Sequence, residues 1–333
     1  MRHAQVLETR PSARPISRIG LGTWQFGSRE WGYGADYERR TRELVQRALD
    51  CGITLFDTAE AYAFGRSERL LGEALGDRRD EAFVATKIFP ALPVSAVVQQ
   101  RAVASAARLG VRTIDLYQVH QPNPVVRDGT TMAGMRRLKQ VGLVANVGVS
   151  NYTLTRWQQA EQALGAPVLS NQVQYSLAHR GPEDDLLPYA AAQGRLVIAY
   201  SPLGQGLLSG RYDASNPPSG SVRRMNPLFL PENLERAAPL LATLREVADA
   251  HGVTPSQAAL AYVVHHPQVV AIPGASSLEQ VEANAAAGDL MLAGDEYEAL
   301  RRAAAAFTPV TGARALPKLL AARRRSPQAT DAA

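Results

Sequence analysis

The chain has 333 residues, 46% of them hydrophobic and 20% charged, with a formal net charge of +5 and a single cysteine. That is an ordinary globular composition, long enough to bury a substantial core without staples. Cys51 alone excludes an intramolecular disulfide and argues against a cysteine-based metal site, so no bound metal is expected.

Residues 1–14 hold no continuous apolar run of the signal-peptide kind. No stretch approaches the roughly 18 to 20 apolar residues that span a bilayer. A soluble, cytoplasmic protein that binds neither membrane nor nucleic acid is the expectation. The basic tail from about 318 to 333, with Lys318, Arg323, Arg324 and Arg325, reads as a flexible, solvated terminus.

A polar opening with hairpin character precedes a first strand at Arg18–Thr23. Helical spacing over Glu43–Leu49 then gives way to a second strand at Ile53–Asp57. The alternation continues with helix Ser67–Leu75, strand Ala82–Lys87, helix Ser95–Leu109 and strand Ile114–His120. Next come helix Thr131–Gln140, strand Val144–Ser150, helix Thr155–Leu164, strand Val168–Gln172, helix Asp184–Ala192 and strand Leu196–Tyr200.

Two helices follow, Leu240–Ala250 and Pro255–His265, the second capped by Thr254 with Pro255 in its first turn. Strand Val269–Ile272, helix Leu278–Ala287 and an extra helix Glu296–Phe307 complete the chain. The strands are rich in Val, Ile, Leu, Phe and Tyr, as strands buried on both faces are.

Eight strands, each followed by helical sequence and with no linker between them, predict one α/β domain, a (β/α)8 TIM barrel; an open doubly wound sheet is the alternative. Residues from Gly204 to about Leu234, rich in Gly, Pro, Ser and Asn, make too long a segment for a plain connection after the seventh strand. They read as a lid-like loop.

Parallel barrels place their chemistry at the C-terminal ends of strands. The second strand ends in Asp57, with Tyr62 five residues on; the third ends in Lys87 and the fourth in His120. A carboxylate, a phenol, an ammonium and an imidazole at neighbouring strand ends fit proton donation to a carbonyl. A free tyrosine, with a pKa of about 10, is a sluggish acid at neutral pH. A Lys87 cation is expected to lower it, with Asp57 orienting Lys87 and His120 aligning the substrate oxygen.

Several ordered segments carry a resemblance. They are Gly20-Leu21-Gly22-Thr23-Trp24, Phe56-Asp57-Thr58-Ala59-Glu60-Ala61-Tyr62 with Gly65, Ser67 and Glu68, and Ala85-Thr86-Lys87. Asp115-Leu116-Tyr117-Gln118-Val119-His120, Gly148-Val149-Ser150-Asn151 and Asn171-Gln172-Val173-Gln174-Tyr175-Ser176 follow. The last are Tyr200-Ser201-Pro202-Leu203 and Ile272-Pro273-Gly274-Ala275-Ser276-Ser277, with Gln280 and Asn284 behind them.

From Gly20 to about Phe307 the chain resembles the aldo-keto reductase family, in motif style the members similar to potassium-channel β-subunits. The resemblance implies reduction of an aldehyde or ketone, sugar-like carbonyls included. It matches Asp57, Tyr62, Lys87 and His120 to the family's catalytic four, with Tyr62 the general acid.

The same resemblance implies a nicotinamide cofactor. Gly22, Thr23, Trp24 and Asp57 would border the nicotinamide; Ser150, Asn151 and Gln172 would bind its carboxamide; Tyr200 would stack on its ring. Ser201, Pro202, Leu203, Gly204, Gln205, Gly206, Leu208 and Arg211 would line the pyrophosphate under the long loop. Ser276, Gln280 and Asn284 would meet the adenosine end at a helix start, where backbone N–H groups favour an anion.

Gly274, Ala275 and Gln280 stand where many members carry lysine, serine and arginine. Arg211, Arg223 and Arg224 are therefore the expected clamp for a 2′-phosphate. NADPH is the expected cofactor and NADH the alternative. The glycines Gly20, Gly22 and Gly27 do not have dinucleotide-motif spacing, and adjacent His265 and His266 diverge on a helix.

Two other functions are open at this point. One is a nicotinamide-binding regulatory subunit with weak or no turnover; the other is a Schiff-base lyase using Lys87. Trp31, Tyr33, Phe89, Gln121 and the Met225–Phe229 stretch are candidate lining of the substrate pocket.

Overall fold

Runs of β-branched and aromatic residues, too apolar to face water on either side, have to lie between a core and a shell of helices, and they do so here. The computed structural model describes residues 6–7, 14–27, 36–89, 91–218 and 221–325. Strands β1 (Val6–Leu7) and β2 (Ile16–Ser17) form an antiparallel hairpin. The next strands are β3 (Leu21–Gly22), β4 (Leu55–Asp57), β5 (Phe83–Ile88) and β6 (Ile114–Val119). They are followed by β7 (Val144–Ser150), β8 (Ser170–Gln174), β9 (Leu196–Tyr200) and β10 (Val269–Ala271).

From β3 to β10 the strands pair in chain order, every pair parallel. A parallel bridge between Ile19 and Ala271 joins the first to the last. The Gly20 N–H donates to the Ala271 carbonyl at 2.7 Å and the Gly22 N–H to that of Pro273 at 3.0 Å. Closure needs Gly22, since a Cβ there would lie 2.7 Å from the Ile272 carbonyl oxygen. This is the expected (β/α)8 barrel.

The helices are α1 (Tyr37–Asp50), α2 (Arg66–Leu75), α3 (Ser95–Leu109), α4 (Asp128–Gln140), α5 (Leu154–Leu164) and α6 (Leu186–Gln193). After them come α7 (Ser221–Arg224), α8 (Pro231–Ala250), α9 (Pro255–Val263), α10 (Leu278–Ala286), α11 (Gly294–Ala306) and α12 (Leu316–Arg325). Thr254 and Gln257 form a reciprocal capping box at the start of α9, with Pro255 in its first turn.

Helix α8 starts nine residues before the expected Leu240, because it runs through Pro239. Pro239 has no N–H for the Glu235 carbonyl, but both residues are exposed, so water can take that carbonyl. The expected flexible tail is described as far as Arg325. It is helical to Arg325, with Lys318 paired to Glu232 at 2.5 Å and Leu319 buried.

The segment after β9 carries short helical turns, with residues 210–218 in neither helix nor strand. A 3-10 turn at Gly204–Ser209, helix α7 and a second 3-10 turn at Pro227–Phe229 lead into α8. Tyr212 meets Phe229 edge-on at 5.6 Å, and Asn226 Nδ2 donates to Gln205 Oε1 at 3.0 Å.

Strand alternation sorts the barrel interior into levels. Leu55, Phe83, Leu116, Leu196 and Ile198 fill the interior above the hairpin residues Leu7 and Ile16. Phe56, Val84, Tyr117, Val147 and Val197 face the helices. Further along the inward faces, the apolar filling gives way to Asp57, Lys87, Gln118 and Tyr200. The change from apolar to polar along each strand puts the site at the C-terminal end.

Candidate active site

Asp57 closes β4 and is buried; Lys87 sits near the end of β5 with no exposed side-chain surface. Lys87 Nζ donates to Asp57 Oδ1 at 2.5 Å, to the Thr58 carbonyl at 2.8 Å and to the Tyr62 hydroxyl at 3.2 Å. Tyr62 is carried there by a tight turn, Tyr62–Gly65, in which Ala63 and Phe64 take φ of 47° and 55°. His120 follows β6 and meets the Tyr62 ring edge-on, centroids 5.7 Å apart. The four residues thus lie together.

Burial acts on Tyr62, Lys87 and His120. Burial pushes the Tyr62 phenol above its ordinary value, and the nearby Lys87 cation offsets this only in part. The expectation that Lys87 brings Tyr62 down toward neutral pH is therefore corrected: desolvation of the phenolate outweighs the cation. Burial also opposes the Lys87 charge, but Asp57 and the Tyr62 oxygen together hold Lys87 above its ordinary value. An ammonium kept charged is a poor Schiff-base nucleophile, which counts against the lyase reading. Burial, then the Lys87 charge, drives His120 down to about 3, so its ring is neutral at neutral pH. Its Nδ1 is buried without a hydrogen-bond partner among the described residues.

A second network joins this one. Gln172 Nε2 donates to Asp57 Oδ2 at 2.7 Å, and the Ser150 hydroxyl donates to the Gln172 carbonyl at 2.8 Å. Asn151 Nδ2 donates to Ser150 Oγ at 3.0 Å, while the Tyr200 hydroxyl donates to Asn151 Oδ1 at 3.0 Å. Thr23 is tied to the Asp57 carbonyl at 3.0 Å, and Trp24 is 45% exposed beside it.

Backbone strain gathers in the same place. The non-glycine residues with positive φ among those described are Ala63, Phe64, Leu92, Asn151, Ser201 and Gln205, all past the C-terminal ends of strands. Strained conformations persist where the surroundings over-determine them, and they cluster at working sites.

The sequence model of the aldo/keto reductase family matches residues 18–305. The chain belongs to that family. Similar proteins include the uncharacterized oxidoreductase Rv2298 of Mycobacterium tuberculosis, 56% identical over 306 residues, covering 92% of this chain and 94% of the relative. Methylglyoxal reductase YeaE of Escherichia coli is 32% identical over 291 residues, covering 86% and 91%. Among solved structures, an aldo-keto reductase from Klebsiella pneumoniae in complex with NADPH superposes with a TM-score of 0.74 at 30% identity, covering 90% and 94%.

In this aldo/keto reductase the remaining sequence-predicted positions divide between the turn after β9 and the start of α10. Ser201 and Gln205 are partly exposed, Pro202, Gly204 and Leu208 are buried, and Gly206 takes φ of 103°. Arg211 and Arg224 are exposed; Arg223 Nε donates to the Gln205 carbonyl at 2.9 Å, with its guanidinium 5.8 Å from the Tyr212 ring.

At the other group, the Ser276 N–H donates to Gln280 Oε1 at 2.8 Å, and Ser277 caps α10 by accepting from the Gln280 N–H. Asn284 is buried on the same helix. Gly274 backs onto Gln25, whose Oε1 would lie 2.5 Å from any Cβ, so Gln25 fills the space a longer residue would need.

Phe89 is 47% exposed, Gln121 and Met225 are exposed, and Leu228 and Phe229 are buried; Trp31 and Tyr33 lie outside the described residues. Sequence reasoning passed over Gln118 and Gln25 as site residues. Gln118 was findable: it is two residues past the inward Leu116 and two before His120.

Proposed function

We propose that this enzyme reduces an aldehyde or ketone, sugar-like carbonyls included, to the alcohol, with NADPH as hydride source and Tyr62 as general acid. The observation that carries the reading is the hydrogen bonding of Tyr62. Its oxygen accepts from Lys87 Nζ at 3.2 Å, which leaves its own proton to donate elsewhere. A phenol held above its ordinary value keeps that proton at neutral pH, and Lys87 stabilises the phenolate that forms as the proton leaves. The neutral His120 ring, unpartnered at Nδ1, loses least if its one proton sits on Nε2, where it can donate to the substrate oxygen.

The residues present fit a nicotinamide cofactor. When bound, it supplies the hydride. Asp57 can only accept, so the Gln172 Nε2 is committed to it, and Gln172 Oε1 is left to accept from a carboxamide NH2. Ser150 and Asn151 add a hydroxyl and an amide at the same level, and the Tyr200 ring is held by its bond to Asn151. The start of α10 offers first-turn N–H groups to the adenosine phosphate. Arg211 with Arg223 or Arg224 supplies the charge that Gly274 and Gln280 do not. The segment at 204–234 serves as the cover over the cofactor.

Two relatives support the choice of chemistry: one is named methylglyoxal reductase, and one was crystallised with NADPH. The test is a panel of aldehydes, ketones and sugar-like carbonyls, followed by nicotinamide absorbance with each cofactor. Turnover with NADPH on at least one carbonyl class is expected. Tight cofactor binding with no turnover across the panel would replace this reading with that of a regulatory cofactor-binding subunit.

A further inference from the structure

Asp57 is described above by its contact with Lys87, through Oδ1. Its other oxygen has a separate environment inside the barrel. Oδ2 accepts from Gln172 Nε2 at 2.7 Å and from Gln118 Nε2 at 3.4 Å. Gln118 points inward from β6 and has no exposed surface. The carboxylate, which can only accept, fixes the orientation of the Gln118 amide, and the Ser170 hydroxyl on β8 donates to Gln118 Oε1 at 3.3 Å.

The neighbouring strand makes room for this amide. Gly148 on β7 pairs with Gln118 on one side and Ser170 on the other. A Cβ at Gly148 would lie 2.8 Å from Gln118 Cγ and 2.5 Å from Ser170 Oγ. The level below is filled by Leu55, Phe83 and Leu116, so an apolar residue at 118 with a larger one at 148 would be the ordinary way to pack this layer. Instead the barrel spends two small residues on housing an amide that serves one carboxylate.

We propose that Gln118 is a positioning residue for the reaction: with Gln172 it forms a two-amide cradle that holds Asp57 Oδ2, and so sets the orientation of Oδ1 toward Lys87 and Tyr62. The assignment rests on the reading of Tyr62 and Lys87 given under Proposed function. Without Gln118, the carboxylate loses one donor and can rotate about its remaining bonds. Its negative field then falls less screened on Lys87 and Tyr62. Among the described residues, the charged or titratable groups facing Tyr62 are Asp57 from β4, Lys87 from β5, His120 past the end of β6 and Tyr200 at the end of β9. A substitution at residue 118 leaves all four of these residues in place and reaches Tyr62 only through Asp57.

Gln118→Met keeps the length and volume of the side chain and removes the amide. It should lower kcat about five- to tenfold, leave the cofactor Kd within about twofold by protein fluorescence, and move the alkaline limb of the reduction profile to higher pH. Gln118→Glu is the same size and sets a second carboxylate against Asp57, so it should lower kcat further than the methionine variant. A residue that only fills space would tolerate the methionine variant. Unchanged kcat and an unmoved alkaline limb in Gln118→Met overturn the assignment, as does a loss expressed only as lower melting temperature or weaker cofactor binding. Tyr62→Phe run in parallel separates the two levels. An inactive Tyr62→Phe beside an unaffected Gln118→Met overturns the cradle alone; a Tyr62→Phe with near-normal turnover overturns the reading beneath it as well.

Discussion

Replacing Lys87 by methionine should destabilise the fold by an amount set by its surroundings, and should do so separately from its effect on rate. Lys87 Nζ lies 2.5 Å from Asp57 Oδ1, and the two side chains are 0% and 2% exposed. Met leaves the Asp57 carboxylate buried with Gln172 and Gln118 as its side-chain donors among the described residues. Stripping one partner from a buried ion pair costs about 3–5 kcal/mol. At roughly 2.1 cal/mol/K of unfolding entropy per residue, a chain of 333 residues loses about 4–7 °C in melting temperature. Removing the stranded charge as well, in Lys87→Met with Asp57→Asn, should restore about half of that loss while activity stays absent. Calorimetry on the four proteins of this cycle gives the stabilities, and the carbonyl assay gives the rates. A Lys87→Met protein as stable as wild type, or a double variant less stable than the single, would refute the buried charged pair.

His120 gives a pH-dependent stability. Its folded value is pushed down to about 3 from an ordinary 6.5, so the unfolded ring binds a proton below about 6.5 while the folded ring does not. Stability is therefore lost as pH falls through that window, by up to about 1.4 kcal/mol per pH unit. His120→Asn should flatten that acid-side slope in denaturant titrations; an unchanged slope would mean the ring is not buried neutral. For cofactor choice, Arg211→Ala, and Arg223→Ala or Arg224→Ala, should each weaken NADPH binding about tenfold and leave NADH binding unchanged. Equal losses for both cofactors would sink the 2′-phosphate clamp.

The barrel was legible because its strands are short, apolar on both faces and regularly spaced, and because Asp57, Lys87 and His120, at or beside the ends of β4, β5 and β6, are residues no core would choose. Asp57, Lys87 and His120 could be read from their positions alone; Tyr62 depended on the turn that carries it back over the strand ends. What the sequence hid were consequences of burial and packing. The Tyr62 shift ran opposite to expectation because desolvation is a property of the assembled pocket, and nothing in the order of residues records it. Gln118 and Gly148 lie 30 residues apart in sequence, and their complementarity appears only when β6 and β7 are placed side by side. Gln25 against Gly274 is the same kind of contact over a longer separation. Helix α8 extends past the expected start at Leu240 because Pro239, on an exposed face, costs one hydrogen bond that water replaces.

The central claim is that the Tyr62 phenol delivers the proton. Tyr62→Phe keeps the ring that packs against His120 and removes only the hydroxyl held by Lys87. Measured on the best carbonyl of the panel, kcat should fall by roughly 10² to 10⁴, with the NADPH Kd within about twofold of wild type. Near-normal turnover in that variant, with cofactor binding intact, would contradict the claim and require another residue to act as the acid.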